Sequence, residues 1–199
     1  MRYKVIAIER EYASGGREIG ERLAKMLDVP CYGEEILERA AAKTGIAREE
    51  LSRLEESMNG SLLFSLNMLA GMTSGRGVDL TRAQTLALAE TEIIRELAVN
   101  RCVLIGRSAA GLLRENEHTL RVFIHADPQN RLERAVRFYH CDPRTAESVL
   151  RRCDRRRANY FKTTTGVEWR DPALYHLWIN SGRIGIDSAA ELLCRLIQS

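Results

Sequence analysis

A short, largely apolar run at residues 3–9 gives way to the glycine-containing loop EYASGG, which leads directly into the amphipathic segment REIGERLAKMLDV. That succession constrains the fold more than any other feature of the 199 residues. An apolar run of strand length closed by glycines predicts a buried strand, and apolar residues at helical spacing after it predict a helix packed back onto that strand. Strand, glycine loop and helix make the first unit of an α/β nucleotide-binding fold.

The alternation continues along the chain. Residues 29–33 suit a short second strand. From 34 to 100 the period is almost entirely helical, with helices expected at 34–43, 48–57, 61–71 and 81–98 and a loop at 73–79. Residues 101–106 and 119–126 read as buried strands, helices at 128–139 and 143–160 follow, and a last strand at 175–181 precedes a C-terminal helix from 187. Strands separated by helices predict a parallel sheet covered on both faces and joined by right-handed crossovers. The expected organisation is one domain over 1–199 with a helical insert at about 34–100, without repeats or linkers.

Composition removes other classes. With 45% hydrophobic residues and only 14 Gly and 4 Pro, the chain is neither disordered nor collagen-like. Five cysteines show no CxxC pair and no ligand spacing with the four histidines, which predicts reduced thiols, a cytoplasmic setting and no metal site built from them. The longest largely apolar stretch, 62–72, is interrupted by Ser65 and Asn67 and is too short for a bilayer, so neither a membrane helix nor a signal peptide is expected. A net charge of +3 does not argue for nucleic acid. The cations are 26 Arg against 4 Lys, and arginine grips phosphate bidentately, but a biased genome accounts for such a total. Only clusters of arginine carry an argument.

Three clusters stand out. Tyr12-Ala-Ser-Gly-Gly-Arg-Glu-Ile-Gly20 is a glycine-rich turn at a helix start, which aims several backbone N–H groups and the positive helix end at one point and so suits phosphate binding. Against GxxxxGK[ST] the loop is degenerate, with Glu11 at the first glycine, Arg17 for the lysine and Glu18 for the magnesium-binding hydroxyl. A plain tight turn with a helix cap at Ser14 is the other reading. Arg107, in Gly106-Arg107-Ser108 after the strand at 101–106, stands where ligands bind in parallel sheets, or else braces its loop. The third cluster, at 151–169, holds five arginines and Asp154 within seven residues and resembles either a mobile cationic flap or a solvated basic helix face. Arg155 and Arg157 are two residues apart, so on a regular helix they diverge by about 200°. Either the helix ends near Asp154 or only one of them reaches the site. Arg131, Arg134 and Arg137 have helical spacing and read as a solvated face rather than a site. Met58, Met68 and Met72 with Leu62, Leu63, Leu66 and Leu69 form a stripe suited to core packing or to a homodimer contact through the insert.

Four segments together, IEREYASGGREIGERLA, VLIGRSAAGLL, FIHADPQNRLERA and DRRRANYFKTTTGVEWRDPALYHLWINS, resemble the cytidylate kinase-like proteins, relatives of bacterial cytidylate kinase among the nucleoside monophosphate kinases. The resemblance covers nearly the whole chain. It implies a three-layer P-loop kinase fold with a five-stranded parallel sheet, a helical acceptor-binding insert and an arginine-rich lid at about 151–169. It also implies ATP and Mg as cofactors. Ser14, Gly15, Gly16, Arg17 and Glu18 would hold the ATP phosphates, Arg107 would meet the acceptor phosphate, and Asp154, Arg155 and Arg157 would come from the lid. Ala13 replaces a usual glycine, while Gly33, Ser108 and His176 replace three acidic residues of the family pattern. The activity implied is phosphoryl transfer from ATP to a small acceptor such as CMP or dCMP. A non-nucleotide acceptor and a catalytically weak nucleotide-binding regulator are the alternatives.

Overall fold

The computed structural model describes residues 2–47, 50 and 82–198. The helices expected at 48–57 and 61–71, the loop at 73–79 and the Met/Leu stripe lie outside the described residues.

Five strands form one sheet: β1 (Val5–Arg10), β2 (Cys31–Tyr32), β3 (Cys102–Ile105), β4 (Thr119–His125) and β5 (Leu177–Asn180). Every pairing is parallel, and the order is β2-β3-β1-β4-β5. The connection leaving β1 runs to the β2 side and the one leaving β3 crosses to β4, so the crevice between the carboxyl ends of β1 and β3 is a topological switch point.

Strand alternation assigns the two faces. Val5 and Ala7 pack with Leu104 and Phe123 against α2 (Glu34–Thr44) and α3 (Arg82–Leu97). Ile6 and Ile8 join Val103, Ile105, Val122 and Ile124 against α1 (Gly16–Leu27) and α8 (Ile186–Gln198). Each face is apolar because neither meets water, which is why these strands read as unbroken hydrophobic runs. Among the described residues there are eight α-helices, the others being α4 (Ala109–Leu112), α5 (Pro128–Tyr139), α6 (Ala146–Thr165) and α7 (Ser181–Ile184).

Two sequence expectations need correction. The helix expected at 143–160 starts later and ends later, at Ala146 and Thr165. Asp142 turns the chain before it, accepting Arg144 N at 2.9 Å. At the other end Thr164 and Thr165 donate their hydroxyls to the carbonyls of Tyr160 and Phe161, so the threonine run continues the helix until Gly166, at φ 73°, stops it. The segment 151–165 is therefore regular helix and not an irregular flap. After it, Trp169 is buried beneath Phe123, with Tyr175 donating its hydroxyl to the Trp169 carbonyl at 2.7 Å. The last strand likewise ends one residue early, because Asn180 turns to cap α7 by accepting Gly182 N.

Candidate active site

The β1–α1 loop is shaped by backbone geometry. Ala13 (φ 59°) and Gly15 (φ 77°) are left-handed, and Gly15 is the N-cap of α1 without any side-chain cap. The cap expected at Ser14 is absent: its hydroxyl donates to Glu11 O at 2.9 Å instead. The first turn of α1 thus begins without a side-chain acceptor, the arrangement that leaves N–H groups for an anion. Gly16 serves packing, because a Cβ there would lie 2.5 Å from Arg10 Cβ and 3.3 Å from Ile124 Cβ. Arg17 projects outward, donating to Glu21 at 2.8 Å and lying 3.5 Å from Glu34. Glu18 accepts from Arg134 at 2.6 Å, and its second oxygen is buried without a protein partner.

Behind the loop sits an ion network. Arg131, expected on a solvated face, is 7% exposed. Its Nε donates to Tyr12 O at 2.8 Å, while its Nη atoms meet Glu11 at 3.0 Å and Asp154 at 2.5 Å. Asp154 also accepts Tyr12 N at 2.7 Å, and Arg170 bonds Glu11 at 2.6 Å. The solvated-face reading fails because α5 packs on α6 here, and three carboxylate and carbonyl groups compensate the buried guanidinium.

A cavity of about 290 Å³ opens on the other side of α6, at the carboxyl ends of β1 and β3. Glu9, Arg10, Arg107, Arg156, Arg157 and Tyr160 line it, with Gly33 and Glu34 at its rim. Arg107 lies 3.4 Å from Glu90, which is 2% exposed and also accepts the Tyr160 hydroxyl. Arg157 donates to Arg10 O at 2.9 Å and lies over the Tyr12 ring. Desolvation raises Glu9 above the ordinary carboxylate range, against the pull of Arg10, while Trp169 Nε1 donates to it at 3.3 Å. Burial, aided by Arg157 and Arg107, pulls Arg10 down to about 9.

Of the residues picked from the sequence, Arg107 and Arg157 meet at this cavity beside the β1–α1 loop. Asp154 and the exposed Arg155 line a different cavity, of about 810 Å³, between α5, α6 and residues 168–171. Since α6 is regular, the 200° divergence expected of a two-residue step separates Arg155 from Arg157. Two of the positions that replace family acids are already bonded within the protein: Ser108, on the cavity wall, accepts from Thr164 at 2.7 Å, and the His176 ring accepts Arg121 N at 3.1 Å. Arg10 and Glu90 were not legible as site residues. Arg10 stands at a strand's carboxyl end, the signal that singled out Arg107, whereas Glu90 looks like any helix carboxylate. Among the described residues, no group of three His, Cys, Asp or Glu could hold a metal ion, and no helix is long and apolar enough to cross a membrane.

A search of the curated proteins found no match. Among solved structures, a protein of Eubacterium ventriosum described as uncharacterized is 23% identical, with a TM-score of 0.75 over 100% of this chain and 99% of its own. Shikimate kinase from Acinetobacter baumannii in complex with shikimate is 15% identical at a TM-score of 0.53, over 98% of this chain and 93% of its own. Shikimate kinase from Bacteroides thetaiotaomicron is 12% identical at 0.54, over 98% of both chains. These likenesses show the fold, that of P-loop kinases. The sequence profile described as the cytidylate kinase-like family matches residues 5–183; with this sheet, loop and cavity, the chain belongs to the cytidylate kinase-like family, whose general chemistry is phosphoryl transfer.

Proposed function

We propose that the protein transfers the terminal phosphoryl group of ATP to a small anionic acceptor, with CMP and dCMP the first to test. The observation that carries this reading is the convergence of Arg107 and Arg157 on one cavity that is also lined by Tyr12 of the β1–α1 loop and by Arg10, whose stem packs on Gly16. Gly15 and Gly16 would present backbone N–H groups to the ATP phosphates, while Ser14 N, which donates to Glu11 O at 3.3 Å, would join them only by giving up that bond, and Arg17 is free to exchange the exposed Glu21 for phosphate. The residues present fit a nucleotide, because the loop supplies unspent donors and adjacent cations. A magnesium ion would take most ligands from phosphate and water, with the unpartnered oxygen of Glu18 as the protein's contribution, and would neutralise charge between the β- and γ-phosphates.

In this reading Arg107, oriented by the buried Glu90, holds the acceptor's anionic group, with Gly33 and Glu34 at the start of α2 on the same rim. Arg157 meets charge on the moving phosphoryl. An acceptor oxygen bonds to phosphorus as the bond to the bridging oxygen breaks. ADP keeps that electron pair, and the acceptor's proton passes to solvent. Asp154 acts as a positioning residue for the β1–α1 loop, and Arg155 stays in solvent. A second reading, a non-nucleotide acceptor, is favoured by the modest volume of about 290 Å³ and by the bonds that already occupy Ser108, on the cavity wall, and His176.

Calorimetric titration of ATP with and without Mg²⁺, followed by ADP release over phosphorylated and unphosphorylated small acceptors, tests the proposal. ATP binding together with turnover that falls in Arg107→Ala supports it. ATP binding without turnover on any acceptor would promote the regulatory nucleotide-binding reading.

A further inference from the structure

Arg10 stands between the two loops. Alternation along β1 turns it to the side opposite Glu9. Its stem backs Gly16, where an added Cβ would come within 2.5 Å of Arg10 Cβ and 2.9 Å of its Cγ. Its far end passes under the turn after β3, where a Cβ on Gly106 would collide with the guanidinium. That turn runs through three successive left-handed residues, Gly106 (φ 71°), Arg107 (φ 57°) and Ser108 (φ 59°). Two of them carry side chains, a backbone strain that the fold tolerates in making room for the guanidinium.

The guanidinium so housed has no matching anion. Among the described residues, no carboxylate stands within ion-pair distance of Arg10, whereas Arg107 has Glu90 and Arg157 gives its Nη1 to the Arg10 carbonyl. Glu9 acts on it only at longer range, and that carboxyl is itself held toward its neutral form by burial. A partly buried cation facing two others at the cavity wall costs stability unless an anion arrives, whereas the buried Arg131 has carboxylate partners.

Resting on the phosphoryl-transfer reading above, we infer that Arg10 is a catalytic residue that contacts the phosphoryl group in transit, between the donor loop at Gly16 and the acceptor loop at Gly106–Ser108. The ligand class at this point is a tetrahedral phosphoryl anion, not a base or sugar. Arg10 lies within the segment IEREYASGGREIGERLA but received no role from the sequence.

Arg10→Met tests it, since Met keeps the Cβ and Cγ that pack on Gly16 and removes the charge; Arg10→Lys keeps the charge on a shorter reach. Calorimetry with ATP and with ADP, plus thermal unfolding of the ligand-free full chain at low salt, is run on both variants and the unaltered protein. The unaltered protein is expected to prefer ATP. Arg10→Met is expected to keep ADP affinity within about twofold and to lose at least about tenfold in ATP affinity, with Arg10→Lys between. Its ligand-free unfolding midpoint is expected to rise, because one of three mutually repelling cations is gone. Equal losses of ATP and ADP, a retained ATP preference, no preference in the unaltered protein, or a lower midpoint in both variants would each overturn the assignment. Failure of the unaltered protein to bind either nucleotide would instead bring down the phosphoryl-transfer reading itself.

Discussion

Single side chains decide the charge balance of the cavity. Arg157 is half-buried, donates to the Arg10 carbonyl at 2.9 Å and lines the cavity, and in the proposed reaction it meets the charge that moves during transfer. Arg157→Ala should lower turnover by at least about tenfold, about 1.4 kcal/mol of barrier, with less change in ATP affinity. Single-turnover kinetics with a working acceptor checks it, and an unchanged chemical step would remove Arg157 from the mechanism. Gly16 acts through packing. Its Cβ direction faces Arg10 and Ile124, so Gly16→Val should destabilise the fold by about 1–3 kcal/mol, seen as a lower urea midpoint, and not simply fill a phosphate's place. Glu9 supplies a pH dependence. Burial raises it from the ordinary 4.5, so the native state holds the proton longer than the unfolded chain does. As pH climbs from about 4.5 toward the raised value, the native state binds more protons and stability falls across that window. Glu9→Gln should flatten that part of the stability–pH curve; an unchanged slope would mean that Glu9 is solvated.

At the scale of elements, α6 separates two environments. One side presents Arg156, Arg157 and Tyr160 to the cavity, and one turn away Asp154 braces the β1–α1 loop from behind. Asp154→Ala would take one of two carboxylates from Arg131, 7% exposed, leaving it Glu11 and the Tyr12 carbonyl, and would leave Tyr12 N without its acceptor. The expected loss is about 1–3 kcal/mol, measured by denaturant unfolding. Weakened ATP affinity should accompany it in whatever fraction remains folded. Loss of turnover with unchanged stability would instead put Asp154 in contact with substrate. The arginine-rich sequence of this helix reads as a solvated flap only because arginine count says nothing about direction. Phe161, buried at 1% exposure, and the back-bonding threonines keep the segment in the body of the fold.

For the whole molecule, ligand linkage gives the broadest check. A nucleotide that binds only the native state should raise the unfolding midpoint with concentration, by about 2.7 kcal/mol of stability at a hundredfold excess over Kd. Chelating Mg²⁺ should reduce that gain, and an ATP-independent midpoint would contradict the nucleotide site. The layered α/β architecture, the strand centres and the glycine loop were legible in the sequence because they rest on local quantities: hydrophobic period, β-branched runs and the special backbone of glycine. The placement of Arg107 at a strand's carboxyl end was legible for the same reason, since topology alone puts such ends at the crevice. Tertiary structure decided the rest. Whether an arginine is buried against carboxylates, as Arg131 is, or crowded among other arginines, as Arg10 is, depends on which strands and helices meet. Those partners, Glu11, Asp154 and Arg157, lie more than a hundred residues apart along the chain, or on helix faces that sequence spacing does not pair. Desolvation and long-range ion pairing are set by that proximity in space, so no local pattern encodes them.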